Sequence, residues 1–329
     1  MSYRVVSTSP SFGKFVMEPV EFLRRNGCTV ELRPELKTED LIVDNIADVD
    51  AVLVGFEPIT AKVIAAAKKL KVIAKHGAGV DNIDIAAATK AGVVVVSAAG
   101  VNSEAVAEFT IGLFLALSRA VSAADRQVRA AGWPRLAGVE LANKTLGIVG
   151  LGQIGRLVAR RLAGFDMKVL AHDAFVSADA ARKLGIELVP LDRLLDEADY
   201  VSLHVPLTKE TRGMIGAAEL KRMKKTAFLV NVSRGGTVDE PALYQALKDK
   251  EIAGAALDVF EKEPPGSHPL FEFDNFIAAP HMAGYTLEAV TETGMVCARG
   301  MLDVFGGKRP DTIVNKEVVM RSGAGASAT

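Results

Sequence analysis

The chain has 329 residues, and its 39 lysines and arginines nearly balance its 40 aspartates and glutamates, for a formal net charge of −1. No run of like charge reaches five residues. The charge pattern therefore offers no attraction for nucleic acid or for an anionic membrane surface, and we expect neither as a partner. A chain of this length exceeds what one hydrophobic core usually organises, which predicts two domains.

Cysteine usage and the first residues bear on the compartment in which the protein is found. Cys28 and Cys297 lie far apart and provide neither a metal-ligand spacing nor a disulfide framework, so we expect reduced thiols and no metal site. Residues 1–6 enter a strand pattern without the layout of a signal peptide. The most apolar stretch, 106–117, contains Glu108 and is shorter than the roughly 20 residues that a transmembrane helix needs. These features predict a cytoplasmic protein in which this stretch is a buried helix.

Short valine-rich runs alternate with helical patterns from the first residues onward, which is typical of parallel βαβ construction. The predicted strands of this first series are 4–7, 29–32, 51–54, 72–75 and 93–96. The predicted helices are 15–25, 61–69 and 83–91. Asp81 and Asn82 are expected to introduce the last of these helices as a turn or a cap. A long helix is expected to follow, starting near Ser103, whose hydroxyl could cap its first turn.

A second βα series follows, with predicted strands at 145–150, 168–172, 200–204, 228–232, 253–257 and 276–279, and a long helix at 287–304. The pattern predicts an α/β fold of two doubly wound parallel-sheet domains. If both long helices cross between the domains, the first domain is discontinuous. The predicted limits are 1–101 with 285–318 for the first domain, 102–284 for the second, and 319–329 for a disordered tail.

A glycine-rich turn opens the second series. Gly150, Gly152 and Gly155 follow an apolar strand, and the turn leads through Gln153 and Ile154 into a helix. In such a turn the first glycine permits the sharp bend, the second lets a pyrophosphate approach the backbone, and the third lets the helix pack closely on the strand. Free N–H groups at the start of the helix then point at the phosphates. The turn predicts a dinucleotide site; a structural turn that binds nothing is the alternative.

Asp173 lies 18 residues after Gly155, at the end of the next predicted strand. A carboxylate at this position accepts hydrogen bonds from a ribose 2′-hydroxyl and repels the 2′-phosphate of NADP. Asp173 therefore favours NAD as the cofactor. The alternative for Asp173 is a plain cap or turn residue.

Three further motifs fall at the ends of predicted strands in the second domain, where ligands of open α/β sheets bind. They are residues 231–236, 257–264 and 280–284. Together they supply a guanidinium, a carboxylate and an imidazole, which are the groups needed to oxidise a 2-hydroxy acid. Taken alone, a histidine after a proline at a strand end is more often structural than catalytic.

With these motifs the chain resembles the D-isomer-specific 2-hydroxyacid dehydrogenase family, particularly its 3-phosphoglycerate dehydrogenase-like branch, over nearly its whole length. In that family Arg-Gly-Gly, Glu-Pro and Pro-His motifs supply the catalytic residues. The resemblance implies that His281 is the acid/base, that Glu263 is its partner, and that Arg234 holds the 2-oxo group and the carboxylate. It also implies a Rossmann NAD-binding domain inserted into a flavodoxin-like substrate domain, and a homodimer formed through the region of the long helix that starts near Ser103.

The resemblance further implies the residues around the ligands. Asp258 would contact the nicotinamide carboxamide, and the other implied cofactor-binding residues beyond the glycine turn and Asp173 are His204, Val205, Pro206, Thr211, Val232, Ser233, Gly284 and Val106. The backbone amides of a first-domain loop would receive the substrate carboxylate, and the implied substrate-binding residues are Lys75, His76, Gly77, Ala78, Gly79 and Asn102. His172 and His268 match no functional position of the family, and we expect both to be structural.

The chain departs from the family pattern at a few positions. Lys75 stands where arginine is common, and phosphoglycerate-using members carry a further arginine after the strand at 51–54, where this chain has Gly55-Phe56-Glu57-Pro58. A phosphate prefers guanidinium partners, and a nearby Glu57 would repel it. Phosphoglycerate is therefore a disfavoured substrate, although Lys75, His76 or Lys14 could supply positive charge. Because the chain ends at Thr329, we expect no extra regulatory domain and no feedback by serine through one.

The sequence thus predicts an NAD-dependent oxidoreductase that interconverts a D-2-hydroxy acid and its 2-oxo acid. One alternative is an NAD-sensing scaffold like the transcriptional corepressors that share this fold, although no partner-binding extension is evident. A narrower alternative is a dehydrogenase for formate or phosphite. The physiological acid, the direction of the reaction and the oligomeric state stay open.

Overall fold

The computed structural model of the chain describes residues 2–320. The expected tail at 319–329 therefore lies outside the described residues, apart from its first two positions. The chain forms two compact units. The first unit comprises the residues up to Asn102 and those from Tyr285 onward, and the second unit is Ser103–Gly284.

The first unit contains a five-stranded sheet in which every pair of neighbouring strands is parallel. Its strands are β1 (Tyr3–Ser7), β2 (Cys28–Leu32), β3 (Ala51–Val54), β4 (Val72–Lys75) and β5 (Val94–Ser97), in the spatial order β2-β1-β3-β4-β5. The helices between them are α1 (Glu18–Arg25), α2 (Glu39–Val43), α3 (Ala61–Ala66) and α4 (Ile85–Lys90). Strands β3, β4 and β5 are buried at every position, as expected for parallel strands covered on both faces.

The second unit contains a seven-stranded parallel sheet. Its strands are β6 (Thr145–Val149), β7 (Lys168–His172), β8 (Glu187–Leu188), β9 (Tyr200–Leu203), β10 (Phe228–Asn231), β11 (Gly254–Leu257) and β12 (Phe276–Ala278). Its helices are α5 (Ser103–Ser118), α6 (Val121–Arg129), α7 (Gln153–Leu162), α8 (Ala178–Arg182), α9 (Leu191–Glu197), α10 (Ala217–Arg222) and α11 (Glu240–Lys248), with 3-10 turns at Ala163–Phe165 and Pro269–Glu272. After this unit, α12 (Leu287–Phe305) belongs to the first.

The strand order of the second sheet, β12-β11-β10-β9-β6-β7-β8, locates its binding edge. From β6 the chain first builds outward through β7 and β8, and then returns to place β9 on the other side of β6. The order of the strands therefore reverses between β6 and β9. Ligands of open α/β sheets bind outside the carboxyl ends of the strands at such a reversal.

Each sheet is covered on both faces by apolar side chains. In the first unit Cys297, Ala298 and Met301 of α12 are fully buried in the cluster on one face, and Ile42 and Ile46 lie in the cluster on the other. In the second unit the helix α5 buries Phe114 against Tyr200, with ring centroids 5.3 Å apart. The two parallel sheets with helices confirm the predicted α/β class.

Several local predictions were wrong. The helix predicted at 83–91 is shorter, at Ile85–Lys90. Asp81 and Asn82 form a turn before it, which was one of the two predicted alternatives, and the cap is Asp84, whose carboxylate accepts the Ala87 N–H at 2.9 Å. The long helix begins at Ser103, at the predicted position, so Ser103 is its first residue rather than its cap. That helix ends at Ser118, and Ala120, at φ 51°, separates it from α6. The sequence pattern also missed the short β8.

Among the described residues, no single helix is long and apolar enough to cross a membrane. Taken together, α5 and α6 have the length and composition of a membrane span, but a bend of 63° separates the two helices. More than half of the α5 positions are buried inside the second unit.

Candidate active site

Two of the three glycines in the turn after β6 are required by close contacts. Gly150 has φ +97°, and a Cβ atom there would lie 2.6 Å from the His204 carbonyl oxygen. A Cβ atom on Gly155 would lie 2.3 Å from the Gly150 carbonyl oxygen. Both distances are too short for any side chain, so the strand, the turn and the first turn of α7 pack together only with glycine at these positions.

Gly152, in contrast, has open space around it. It is the N-cap of α7, no side chain caps the helix there, and no atom lies within 4 Å of the position where its Cβ would be. Gln153 and Ile154 form the first turn of this helix, which begins without a side-chain cap. An open helix N-terminus of this kind favours an anion, and these residues fit the pyrophosphate of a dinucleotide.

Asp173 follows β7 and is bonded to the same turn. One carboxylate oxygen, Oδ2, accepts the Leu151 N–H at 2.8 Å, and Oδ1 accepts the N–H groups of Phe175 and Val176 at 2.8 and 2.9 Å. Burial opposes the charge, but these three N–H groups outweigh it and hold the pKa of Asp173 below its ordinary value. The group is therefore an anion beside the glycine turn, which fits a ribose hydroxyl and disfavours a 2′-phosphate.

The loop after β9 packs against the glycine turn, where the His204 carbonyl lies next to Gly150. Burial lowers the pKa of His204 to about 3, so its ring is neutral, and Nε2 lies 3.1 Å from the Ser202 hydroxyl. Thr211 closes the rest of this loop, because its hydroxyl donates to the Pro206 carbonyl at 2.7 Å and accepts the Thr208 N–H at 2.7 Å. His204 and Thr211 thus support the loop from within it, and their contact with a cofactor stays a prediction.

Asn231, the last residue of β10, shapes the turn that carries Arg234. Its Oδ1 accepts the N–H and the hydroxyl of Ser233 at 3.0 and 2.7 Å, and its Nδ2 donates to the Arg234 carbonyl at 3.0 Å. The Arg234 guanidinium donates to the Ser233 carbonyl at 2.7 Å. Asn231 is fully buried. Sequence reasoning assigned it no role, although a buried amide at a strand end is a residue that a turn needs.

The turn at Arg234 also contacts the loop after β11. A Cβ atom on Gly235 would lie 1.9 Å from the Phe260 carbonyl oxygen, so the two backbones touch and only glycine fits. Phe260 in turn donates its N–H to Glu263 Oε1 at 3.0 Å. The second glycine of the motif, Gly236, has φ +78°. The Arg-Gly-Gly motif therefore joins the arginine to the loop that carries the glutamate.

Glu263 and His281 form a pair. Glu263 Oε2 lies 2.8 Å from His281 Nδ1, and the two side chains are 32% and 29% exposed. Burial opposes ionisation of Glu263, but the hydrogen bond to His281, the charge of that ring and the Phe260 N–H outweigh it and lower the pKa of the glutamate, to which Arg234 also contributes. The structure thus holds an ionised carboxylate on one nitrogen of a partly exposed imidazole.

Asp258 holds the backbone on which His281 lies. It is fully buried, and its two carboxylate oxygens accept the N–H groups of Met282 and Ala283 at 2.8 and 2.9 Å. Its carbonyl accepts the His281 N–H at 2.8 Å, and His281 adopts a left-handed φ of 52°. Burial raises the pKa of Asp258, and the two N–H groups act against that rise. Asp258 is thus a support for the histidine; its contact with the nicotinamide stays a prediction.

The remaining cofactor residues expected in this unit differ in accessibility. Val106 is 5% exposed and Val232 is 7% exposed, and both pack in the apolar cluster that also contains Ala283. Ser233 is buried as well. These three residues therefore belong to the packing of the second unit, and their contact with a cofactor stays a prediction.

In the first unit, Lys75 is buried at the end of β4. Its Nζ donates to the Gly55 carbonyl and to Asn82 Oδ1, the latter at 3.1 Å, and lies 4.8 Å from the centre of the Phe56 ring. Asn82 also donates to the Glu57 carbonyl at 2.6 Å. The ammonium group is thus part of a network that joins the loop after β3 to the loop after β4, and it is only 5% exposed as a residue.

His76 begins the loop that was expected to receive a carboxylate. Its Nδ1 lies 2.9 Å from the Ser11 hydroxyl, and burial, together with the charge of Lys75, lowers the pKa of the ring to about 4. His76 is therefore neutral. The next residue, Gly77, has φ +152°, and within residues 2–320 the N–H groups of Ala78 and Gly79 donate to no protein acceptor. Two adjacent unbonded N–H groups suit an anion such as a carboxylate.

Two further expected residues lie at the ends of the units along the chain. Asn102 is half-buried at the end of the first unit, and Gly284 ends the second. Within the part of the chain that the structure describes, no three His, Cys, Asp or Glu side chains are arranged to hold a metal ion.

A glycine turn that fits a dinucleotide, with the ionised Asp173 beside it and an arginine and a histidine–carboxylate pair on neighbouring strand ends, is typical of a nicotinamide-dependent oxidoreductase. Residues 111–283, more than half of the chain, match the family model described as "D-isomer specific 2-hydroxyacid dehydrogenase, NAD binding domain". The chain belongs to the D-isomer-specific 2-hydroxyacid dehydrogenase family. It is an NAD-dependent oxidoreductase, and the residues matched lie in its second unit.

Curated relatives carry two different names. The chain is 44% identical over 302 residues to a D-3-phosphoglycerate dehydrogenase of Archaeoglobus fulgidus, covering 91% of this chain but only 57% of that enzyme's length. It is also 44% identical over 290 residues to a glyoxylate reductase of Korarchaeum cryptofilum, covering 86% of this chain and 87% of the relative. A glyoxylate reductase of Thermofilum pendens matches at 44% over 318 residues, with 93% and 94% covered.

Solved structures agree with the fold. The TT0316 protein of Thermus thermophilus superposes with a TM-score of 0.87 at 34% identity, covering 94% of this chain and 99% of that one. The apo-structure of D-lactate dehydrogenase from Escherichia coli gives a TM-score of 0.85 at 30% identity, covering 95% and 99%.

Proposed function

We propose that the protein interconverts a small, unphosphorylated D-2-hydroxy acid and its 2-oxo acid, with glyoxylate or hydroxypyruvate as the oxo acid. The observation that carries the proposal is the Glu263–His281 pair at 2.8 Å, on strand ends next to Arg234. An imidazole with one nitrogen held by a carboxylate is suited to exchange a proton through the other nitrogen at neutral pH.

The proposed roles follow from these contacts. Because Nδ1 of His281 is engaged with Glu263, the nitrogen that exchanges a proton with the substrate hydroxyl is Nε2. In the oxidative direction His281 accepts that proton, and the ionised Glu263 stabilises the resulting imidazolium. In the reductive direction the imidazolium returns the proton to the developing alkoxide. Arg234 polarises the 2-oxo group and binds the carboxylate, as a planar guanidinium does well.

The residues present fit the cofactor. The open N-terminus of α7 at Gly152 would hold the pyrophosphate, and Asp173 would accept the ribose hydroxyls. When bound, the nicotinamide ring supplies or accepts the hydride at carbon 2 of the acid. We also propose that the substrate carboxylate binds the N–H groups of Ala78 and Gly79 in the first unit.

The choice of an unphosphorylated acid rests on the loop after β3. Gly55-Phe56-Glu57-Pro58 contains no arginine. The Glu57 carboxylate is 8% exposed and accepts the Thr8 hydroxyl at 2.9 Å and the Gly55 N–H at 2.8 Å. A phosphate placed at this loop would meet an acidic side chain and no exposed guanidinium. The two glyoxylate reductases that match this chain over most of their own length support the same choice.

We propose in addition that the protein is a homodimer through α5 and α6. Leu115, Val121 and Val128 on these helices are 37%, 55% and 47% exposed, and Trp133 beyond them is 81% exposed. Several large apolar side chains exposed over one short stretch favour a protein partner. Size-exclusion chromatography with light scattering would measure the mass directly, and a monomer would contradict this part of the proposal. The cytoplasmic location stays a prediction.

The function is tested by following the absorbance of NADH with glyoxylate, hydroxypyruvate, 2-ketobutyrate and phosphohydroxypyruvate. We expect turnover of the unphosphorylated acids, with a higher kcat/KM than for phosphohydroxypyruvate. Turnover of phosphohydroxypyruvate alone would reject the substrate assignment. Tight NADH binding without turnover of any acid would reject the enzyme and favour an NAD-sensing scaffold.

A further inference from the structure

The loop that carries Glu263 must itself be held in position. This Glu263 loop, residues 260–268, joins β11 to the 3-10 turn at Pro269–Glu272 and contains no helix or strand. Catalytic groups act within about 0.5 Å of their productive position, and a shift of about 1 Å can cost a factor of about 100 in rate. A carboxylate on an irregular loop therefore needs further contacts to fix the chain on both sides of it.

One carboxylate outside the active site bonds to both ends of this loop. Glu240, the first residue of α11, accepts the Glu261 N–H through Oε1 at 2.6 Å. Its other oxygen, Oε2, lies 3.0 Å from Nε2 of His268. The two side chains of this Glu240–His268 clamp are only 11% and 17% exposed, so water competes little for the bonds.

The proton positions within the clamp follow from a third contact. The Leu270 N–H donates to Nδ1 of His268 at 3.3 Å, so Nδ1 is an acceptor and carries no proton. Nε2 then bears the hydrogen that it donates to Glu240. The rings of Phe260 and Phe271 lie beside the imidazole, with centroids 5.6 and 5.5 Å from its own, and restrict its orientation.

The clamp is connected to both catalytic loops. Within the Glu263 loop, Phe260 donates its N–H to Glu263 Oε1 at 3.0 Å, next to the Glu261 N–H that Glu240 binds. Glu240 itself begins the helix that follows the Arg234 turn, and Gly235 of that turn touches the Phe260 carbonyl. A displacement of residues 260–261 would therefore move Glu263 away from His281 and disturb the contact with the arginine turn.

We propose that Glu240 and His268 are positioning residues for the catalytic pair: they fix both ends of the Glu263 loop so that Glu263 stays bonded to His281. The sequence pattern led us to expect a purely structural His268, and this proposal gives it a defined effect on the reaction. The expected effect of these residues on turnover rests on the proposed function.

Two substitutions of His268 distinguish the hydrogen bond of its ring to Glu240 from the hydrogen bond that its ring accepts from Leu270. Glutamine in H268Q places an amide near the position of Nε2 and can still donate to Glu240, whereas asparagine in H268N places its amide near Nδ1 and can only serve Leu270. We expect H268N to lower kcat for the 2-oxo acid by a factor on the order of 10 to 100, and H268Q to recover most of that loss. NADH affinity, measured by fluorescence, should not change in either variant.

A matched control comes from the same two elements. Tyr244 on α11 donates its hydroxyl to Glu272 Oε1 at 3.0 Å, so Y244F removes a hydrogen bond between α11 and the 3-10 turn without touching the Glu263 loop. We expect Y244F to retain the kcat of the natural enzyme. If the kcat of H268N equals that of the natural enzyme, or if H268Q and Y244F lose as much kcat as H268N, the proposal is overturned.

A spectroscopic measurement tests the positioning without any turnover. In ¹⁵N-labelled protein, the proton between His281 Nδ1 and Glu263 should give a low-field resonance in the natural protein, in H268Q and in Y244F. It should be lost in H268N. Retention of this resonance in H268N would contradict the proposal even if the enzyme were active. If no acid is turned over, the proposed function fails, and this comparison still decides the role of the clamp.

Discussion

Replacing Glu263 by glutamine removes the negative charge from the pair that we propose to be catalytic, with almost no change in shape. The carboxylate lies 2.8 Å from His281 Nδ1, and both groups are about one third exposed. For unit charges at this distance, an effective dielectric constant of about 40 to 80 corresponds to about 1.5 to 3 kcal/mol. A hydrogen bond to a charged group contributes a similar amount. The imidazolium should lose this stabilisation, which amounts to a factor of about 10 to 150 in rate.

The amide of E263Q also affects the tautomer of His281. Glutamine can keep its oxygen on the Phe260 N–H, where Oε1 now accepts at 3.0 Å, and then turns its NH₂ group toward the histidine. To accept this hydrogen bond, Nδ1 of His281 must carry no proton, so the proton of the neutral ring lies on Nε2. That tautomer cannot accept the substrate proton through Nε2, so oxidation of the hydroxy acid should suffer at least as much as reduction.

The assay is steady-state kcat in both directions at saturating cofactor, with NADH affinity measured separately by fluorescence. We expect kcat to fall by about 10- to 150-fold while the affinity for NADH stays within about 2-fold. The matched control is E261Q, because Glu261 lies in the same loop, is 63% exposed and pairs with Arg212 at 3.2 Å. If E263Q keeps a kcat within about 3-fold of the natural enzyme, or if E261Q loses as much, Glu263 is not the partner of the acid/base.

Three further predictions concern the cofactor turn. Gly155→Ala puts a Cβ atom 2.3 Å from a backbone oxygen and should lower the free energy of unfolding by about 1–3 kcal/mol in urea titrations. The Cβ atom of Gly152→Ala enters open space, so this variant should keep the free energy of unfolding of the natural protein while binding NADH more weakly. Equal stability of the two variants would be inconsistent with the packing. Asp173→Ser should raise the kcat/KM for NADPH relative to NADH, and an unchanged ratio would remove the argument for NAD specificity. The pKa of Asp173 lies below its ordinary value, so its charge stabilises the fold above about pH 4 and the contribution is lost as the pH falls through the lowered pKa. Asp173→Asn should therefore be less stable than the natural protein at pH 7, by a difference that shrinks as the pH falls below about 4, and a difference independent of pH would show that the charge is not the cause.

Sequence patterns predicted the sheets well because parallel strands buried on both faces are continuous apolar runs. The strands at 51–54, 72–75 and 168–172 have the bounds that the valine-rich runs indicated. Glycine positions were equally informative, since Gly150 and Gly155 are fixed by backbone contacts that no other residue allows. In each case the local sequence and the packing require the same residue.

Residues whose role depends on distant partners could not be predicted in the same way. Asp258 follows a strand, and its carboxylate accepts the N–H of Ala283, 25 residues away. Glu240 and His268 are 28 residues apart and meet only because the helix after β10 starts beside the loop after β11. Asn82 resembled a helix cap, yet its amide joins two loops of the first unit. A single sequence contains no signal for such contacts.

The most direct test of the account is the chirality of the product formed from hydroxypyruvate and NADH, determined by chiral chromatography for the natural enzyme and for H281A. We expect D-glycerate from the natural enzyme, and almost none from H281A although that variant still binds NADH. L-Glycerate, or product formation by H281A at the natural rate, would contradict the assignment of His281 as the acid/base of a D-2-hydroxyacid dehydrogenase.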